Sequence, residues 1–148
     1  MSKSKEAVDL FYDGFLCSQA VLSIYSEQFG MDRELSLKIS EGLGGGMGRM
    51  GLTCGAVTGA YLVISLKYGS VSAEDMKSRE QIYTLIKKFT KQFKSRNGSI
   101  VCRELLGCNI GESEGYEEAK EKNIFKEICP KFVEDAVELL ELLLKDEF

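Results

Sequence analysis

The chain has no histidine and no tryptophan, and only one proline, Pro130, in 148 residues. Without imidazole there is no histidine base, no histidine zinc ligand and no axial histidine for a haem. The Cys-x-x-Cys-His string of a c-type haem is also missing, so no haem is expected. A near absence of proline favours helix. No stretch approaches 18 consecutive apolar residues, so no membrane-spanning helix is expected. Lys and Arg nowhere cluster, and the net charge is −4 with a pI near 5.0. The electrostatic footprint of a nucleic-acid binder is therefore lacking. The opening stretch MSKSKEAVDLFYDGFLC is interrupted by Asp9 and Asp13 and has no small-residue cleavage site. No signal peptide is read, and the expected address is cytoplasmic, where thiols are kept reduced.

What the chain does have is sulfur. Five cysteines in a reducing compartment need a reason, and cysteine chemistry is the main option left. The frame that carries them reads as helical. Ala7, Val8, Phe11, Phe15, Val21, Ile24 and Tyr25 recur mostly at three- and four-residue steps, as one face of a first helix requires. Met76, Ile82, Tyr83, Ile86, Phe89 and Phe93 do the same over residues 73–94. Asn97-Gly98 then reads as a helix–helix turn, Ser99 as a cap for IVCRELL, and Gly107 as its end. Residues 112–122 are charged and glycine-punctuated, which suits a solvated loop or a short surface helix. Pro130 stands where a first helical position would be, opening KFVEDAVELLELLLK. Leu139, Leu140, Leu142, Leu143 and Leu144 cover more than one face of that helix, which suits burial within the chain or a homodimer seam. The expected architecture is all-α: one domain, 1–148, a compact bundle of about six helices.

The segment GGGMGRMGLTCGAVTGA, residues 44–60, offers two readings. Gly46-Met47-Gly48-Arg49-Met50-Gly51 matches G-x-G-x-x-G, and LSLKIS before it alternates as a short strand does. A dinucleotide site needs a second parallel strand after the helix, and the GSVSAEDMKSRE that follows starts another helix instead. No Gly-Lys-Ser/Thr follows for a P-loop either. The second reading makes the loop a mounting for Cys54. Glycines admit left-handed angles and close backbone approach, and successive amides of Gly45, Gly46 and Gly48 form an anion-binding nest. Cys54 lies just before the helical run 56–68, where the helix N-terminus favours a thiolate. Arg49 adds a full positive charge, and Gly55 with Gly59 leaves one smooth face for close helix packing.

The same placement recurs in the other cysteines. Cys129 precedes Pro130 and would open the last helix; Cys102 lies in the first turn after Ser99; Cys17 lies inside the first helix. Cys108 is the odd member. If the intervening residues are helical, it is displaced from Cys102 by roughly 9 Å of rise and about 240° of rotation. That is beyond disulfide reach, and Cys108 is expected to be a bystander.

These residues resemble the C_GCAxxG_C_C family of redox-active proteins, which is described by four cysteines and a Cys-Gly-Ala-x-x-Gly motif. The resemblance runs through Gly14-Phe15-Leu16-Cys17-Ser18-Gln19-Ala20, the glycine loop with Cys54-Gly55-Ala56-Val57-Thr58-Gly59, the segment Ser99 to Gly107 around Cys102, and Cys129-Pro130. It implies a redox role. Similar cysteine segments occur in split-Soret cytochromes, which carry haem and iron–sulfur centres, but the haem-attachment part is missing here.

The expectation is that Cys17, Cys54, Cys102 and Cys129 converge and act together in electron transfer with a donor or acceptor protein. They would either ligate an iron–sulfur cluster or cycle between dithiol and disulfide. The separations of 37, 48 and 27 residues require the tertiary fold to gather them. A four-cysteine zinc site is the alternative metal reading, although no close Cys-x₂₋₄-Cys pair is present. A helical interaction module with incidental thiols is the alternative of another class.

Overall fold

A computed structural model describes residues 1–145. Among these residues the ordered structure is helical, apart from one isolated β-bridge between Thr53 and Val101. The helices are α1 (Lys3–Tyr12), α2 (Cys17–Ser26), α3 (Arg33–Glu41), α4 (Gly55–Tyr68), α5 (Met76–Asn97), α6 (Cys102–Leu106), α7 (Ser113–Glu121) and α8 (Ile124–Lys145). A 3₁₀ turn, Glu27–Phe29, extends α2. The all-α expectation holds, with eight helices in place of about six.

The added helices have identifiable causes. The first segment is two helices because Gly14 takes φ +111° and closes α1. Phe15 N donates to Leu10 O and Gly14 N to Phe11 O, the paired bonds of a Schellman end. Cys17 is therefore the first residue of α2, not an interior residue of a longer helix. LSLKIS is not a strand; it lies in α3, capped by Asp32, whose carboxylate accepts from Leu35 N. Its apparent alternation arises because α3 turns its hydroxyls inward. Ser36 and Ser40 are fully buried, each donating to a carbonyl of its own helix, while Leu35 and Ile39 are exposed.

Residues 113–121 form a short helix, as the charged segment allowed. Asn123, at φ 55°, turns the chain into α8. That helix starts at Ile124, six residues before Pro130, so Pro130 is interior to it and does not open it. The missing N–H at Pro130 releases the carbonyl of Lys126, near enough to the helix start that the rest of α8 continues.

Helix α8 occupies the centre and packs against α1, α2, α4, α5 and α7. Its buried face includes Val133, Ala136, Val137 and Leu140, and Phe132 meets the Phe89–Phe93 pair of α5. Leu139, Leu143 and Leu144 are also buried by the chain's own helices, leaving Leu142 exposed. Intramolecular packing thus accounts for four of the five leucines that suggested a seam. Across α5 and α8, Arg96 pairs with Asp135 at 3.2 Å and Glu138 at 2.8 Å.

Helices α2 and α4 pack most closely, for a reason visible in sequence. A Cβ on Gly59 would stand 3.0 Å from Ser18 O and 3.2 Å from Val21 Cβ; one on Gly55 would stand 3.2 Å from Ser18 N. The smooth face of α4 is what lets the start of α2 lie across the start of α4. Ser18 Oγ then donates to Ser40 O at 2.7 Å, which ties α2 to α3.

Candidate thiol site

Three short-range devices aim separate parts of the chain at one place. The first is the glycine face just described, which brings Cys17 beside the start of α4. The second is the Thr53–Val101 bridge. Cys54 N donates to Ile100 O at 2.8 Å and Cys102 N to Leu52 O at 2.5 Å. Two cysteines 48 residues apart are thereby held on adjoining strands of backbone, one at the N-cap of α4 and one at the first position of α6.

The third device is the loop between α3 and α4. Gly45, Gly46, Met47, Gly48 and Arg49 all have φ between 61° and 69°, five consecutive residues in the left-handed region. For Met47 and Arg49 this costs about 1–2 kcal/mol each. The turn is closed by internal bonds, including Gly48 N to Gly42 O at 2.8 Å and Leu52 N to Gly46 O at 2.9 Å. Gly46 lies directly against Cys102.

Cys17, Cys54, Cys102 and Cys129 line a single cavity of about 580 Å³. Four sulfurs from α2, the α4 cap, α6 and α8 are therefore brought together. Gly45, Gly46, Gly48, Arg49 and Gly55, the loop residues singled out in the sequence, line the same cavity. Cys108 is not among its lining residues; it is half-buried, raised by its burial and by Glu118. All five cysteines are free thiols.

The sulfurs differ in character. Cys17 and Cys129 line the same cavity and influence each other's ionisation. Their interaction holds Cys129 below the ordinary thiol range and, with burial and the neighbouring sulfurs, pushes Cys17 well above it. Burial pushes Cys54 up to about 12, although the amides of Ala56 and Val57 pull the other way. Burial, with repulsion from Cys54 and Cys129, also pushes Cys102 to about 12.

The expectation that helix N-termini would favour thiolates at Cys54 and Cys102 is thus not met: both are raised, and at Cys54 the loss of water outweighs the amides of Ala56 and Val57. Cys129 does have a lowered pKa, but from its partner thiol, since it sits in the second turn of α8 and not at its start. Arg49 is exposed at the cavity, its guanidinium 4.0 Å from the centre of the Tyr116 ring. Tyr116, on α7, and Phe125, on α8, had no distinguishing sequence signal as site residues, yet both line the cavity beside the thiols.

No group of three or more His, Cys, Asp or Glu side chains among the described residues is gathered tightly enough to hold a metal ion. The four thiols of Cys17, Cys54, Cys102 and Cys129 instead stand around the shared cavity.

A family model described as "Putative redox-active protein (C_GCAxxG_C_C)" matches residues 15–143. The match spans most of the chain and all four cavity cysteines, so the chain belongs to the C_GCAxxG_C_C family of redox-active proteins. No curated protein and no solved structure matches it. No helix among the described residues is long and apolar enough to cross a membrane.

Proposed function

We propose that this protein transfers electrons through the four cavity cysteines, with Cys17 and Cys129 as a dithiol that is reversibly oxidised to a disulfide. The observation that supports this most directly is that Cys17 and Cys129, 112 positions apart in the chain, line one cavity. Two sulfurs that share a cavity can reach each other to bond, and a thiol whose ionisation its neighbour favours is the nucleophile such exchange requires. Cys54 and Cys102, protonated at neutral pH, then serve as a second pair. The working setting is cytoplasmic, with another protein or a small molecule supplying or accepting the electrons.

A second reading is that the same four sulfurs ligate an iron–sulfur cluster. The cavity's donor chemistry favours it. Four cysteines suit [2Fe–2S] and [4Fe–4S] centres, and the amides of Gly45 and Gly46, which donate to no other described residue, suit the negative charge of such a group. When bound, a cluster would supply one-electron transfer. A four-cysteine zinc site draws less support, because the sulfurs are not gathered as a single ion requires.

The test is iron, sulfide and zinc analysis of protein purified without oxygen, together with thiol titration. The dithiol reading expects five titratable thiols when reduced, two of which disappear on mild oxidation and return with reductant. It also expects this change to be lost in both Cys17→Ser and Cys129→Ser. Iron with acid-labile sulfide moves the assignment to the cluster, and one equivalent of zinc moves it to a structural site. Five thiols unchanged by oxidation in metal-free protein would overturn electron transfer and leave an interaction module.

A further inference from the structure

The cavity is larger than four sulfurs require. Its roughly 580 Å³ falls within the range of small-molecule sites. Away from the cysteines its wall is aromatic, with Phe11, Phe15, Tyr116 and Phe125 among the lining residues. Three charged side chains line it as well: Arg49 and Lys126, both cationic, and Glu41, and all three are exposed to solvent. The guanidinium of Arg49 rests on the Tyr116 ring, 4.0 Å from its centre. An apolar space with thiols inside and charges of both signs at its exposed edge suits a small zwitterion with an oxidisable or reducible sulfur.

We propose that a low-molecular-weight disulfide carrying carboxylate and ammonium groups, of amino-acid or short-peptide type, enters this cavity and exchanges with the Cys17–Cys129 pair. Arg49 and Lys126 hold its carboxylates, Glu41 holds its ammonium, and the aromatic wall covers its apolar chain. The inference rests on the dithiol reading above and names its oxidant.

The Cys129 thiolate attacks one sulfur of the ligand. A Cys129–ligand S–S bond forms, the ligand's own S–S bond breaks, and one ligand thiolate leaves. That thiolate takes the proton of Cys17. The Cys17 thiolate then attacks the Cys129 sulfur, forming the Cys17–Cys129 disulfide and expelling the second ligand thiolate. The protein pair is oxidised by two electrons, and the ligand disulfide is reduced by two. The direction reverses when reduced ligand is in excess.

The test uses oxidised glutathione as the charged probe and 2-hydroxyethyl disulfide as the uncharged one. Cys17→Ser should trap a mixed disulfide on Cys129, read by mass spectrometry, and Cys129→Ser should trap none. Arg49→Gly with Lys126→Gln should raise the half-saturating concentration of oxidised glutathione about tenfold or more, and that of 2-hydroxyethyl disulfide by far less. Glycine is chosen at position 49 because the backbone there is left-handed. Equal effects on both probes would overturn the recognition by charge. Absence of a trapped adduct, in protein whose pair is still reversibly oxidised by ferricyanide, would overturn the inference while leaving the dithiol reading standing. Failure of ferricyanide as well would take both down.

Discussion

Gly46 and Cys102 touch: a Cβ placed on Gly46 would lie 2.6 Å from the Cβ of Cys102. It would also lie 2.7 Å from Leu52 N and 2.9 Å from the carbonyl carbon of Gly51, so backbone as well as side chain blocks it. Gly46 in addition takes φ +69°, where an L side chain is strained. The left-handed turn and the thiol cavity are thus one construction, with the turn serving as the wall on which Cys102 rests.

Gly46→Ala should accordingly destabilise the fold by about 2–5 kcal/mol, the sum of the left-handed cost and overpacking against backbone. Denaturant unfolding measures this. The substitution should also alter the reactivity of Cys102 more than that of Cys108, as differential alkylation followed by peptide mapping would show. A variant of unchanged stability would mean that the turn is not held against α6.

Gly59→Ala probes the other device. The new methyl would meet Ser18 O at 3.0 Å and Val21 Cβ at 3.2 Å, contacts that require α2 to give way. Overpacking costs roughly 1–3 kcal/mol, against roughly 1 kcal/mol gained from helix propensity. The net expectation is a loss of about 1 kcal/mol, with Cys17 shifted from Cys129 and the oxidation of that pair slowed. A gain in stability would show that the helices have room to spare.

Much of this arrangement can be read from residues with a single physical purpose. Gly55 and Gly59 mark the close face of α4, Gly98 and Gly107 end helices in the left-handed region, and Cys54 stands at a helix start, all as their chemistry predicts. Other features are harder to read because a competing effect wins. The Asp13-Gly14 stop is present in sequence, but the apolar period continues across it, since α1 and α2 bury similar faces. In α3, serines occupy the inward positions, so the hydrophobic pattern points the wrong way. Pro130 reads as a beginning because proline favours first turns, yet α8 accepts the loss of one early hydrogen bond. The thiol pKa values depend on burial, which no spacing reveals.

Burial of Cys54 and Cys102 has a consequence for alkaline stability. Each thiol is pushed to about 12 in the folded protein, against about 9 when exposed. Both bind their proton more tightly folded than unfolded, so their contribution is complete below pH 9 and is lost as pH rises from 9 toward 12. Each contributes about 4 kcal/mol at most to that loss. Burial raises Tyr25 too, which steepens the fall above its ordinary range near 10. Unfolding free energy measured against pH should therefore fall through this window, and less steeply in Cys54→Ala. Identical slopes for the two proteins would mean that Cys54 is hydrated in solution.

Pro130 tests whether α8 trades stability for the position of Cys129. The proline stands seventh in the helix and leaves the Lys126 carbonyl without its i+4 donor. Pro130→Ala restores that bond and removes the ring's crowding, a gain of up to roughly 3 kcal/mol. A more flexible unfolded chain offsets about 1 kcal/mol of it. The expected net is a stabilisation of about 1–2 kcal/mol, or a few degrees in Tm for a chain of this size. If the proline positions the adjacent Cys129, the same variant should react more slowly with disulfides, because a straightened turn moves that sulfur from Cys17. A stabilised protein with slower exchange would identify Pro130 as a positioning residue. A destabilised one would mean that the helix is not continuous through residue 130 in solution.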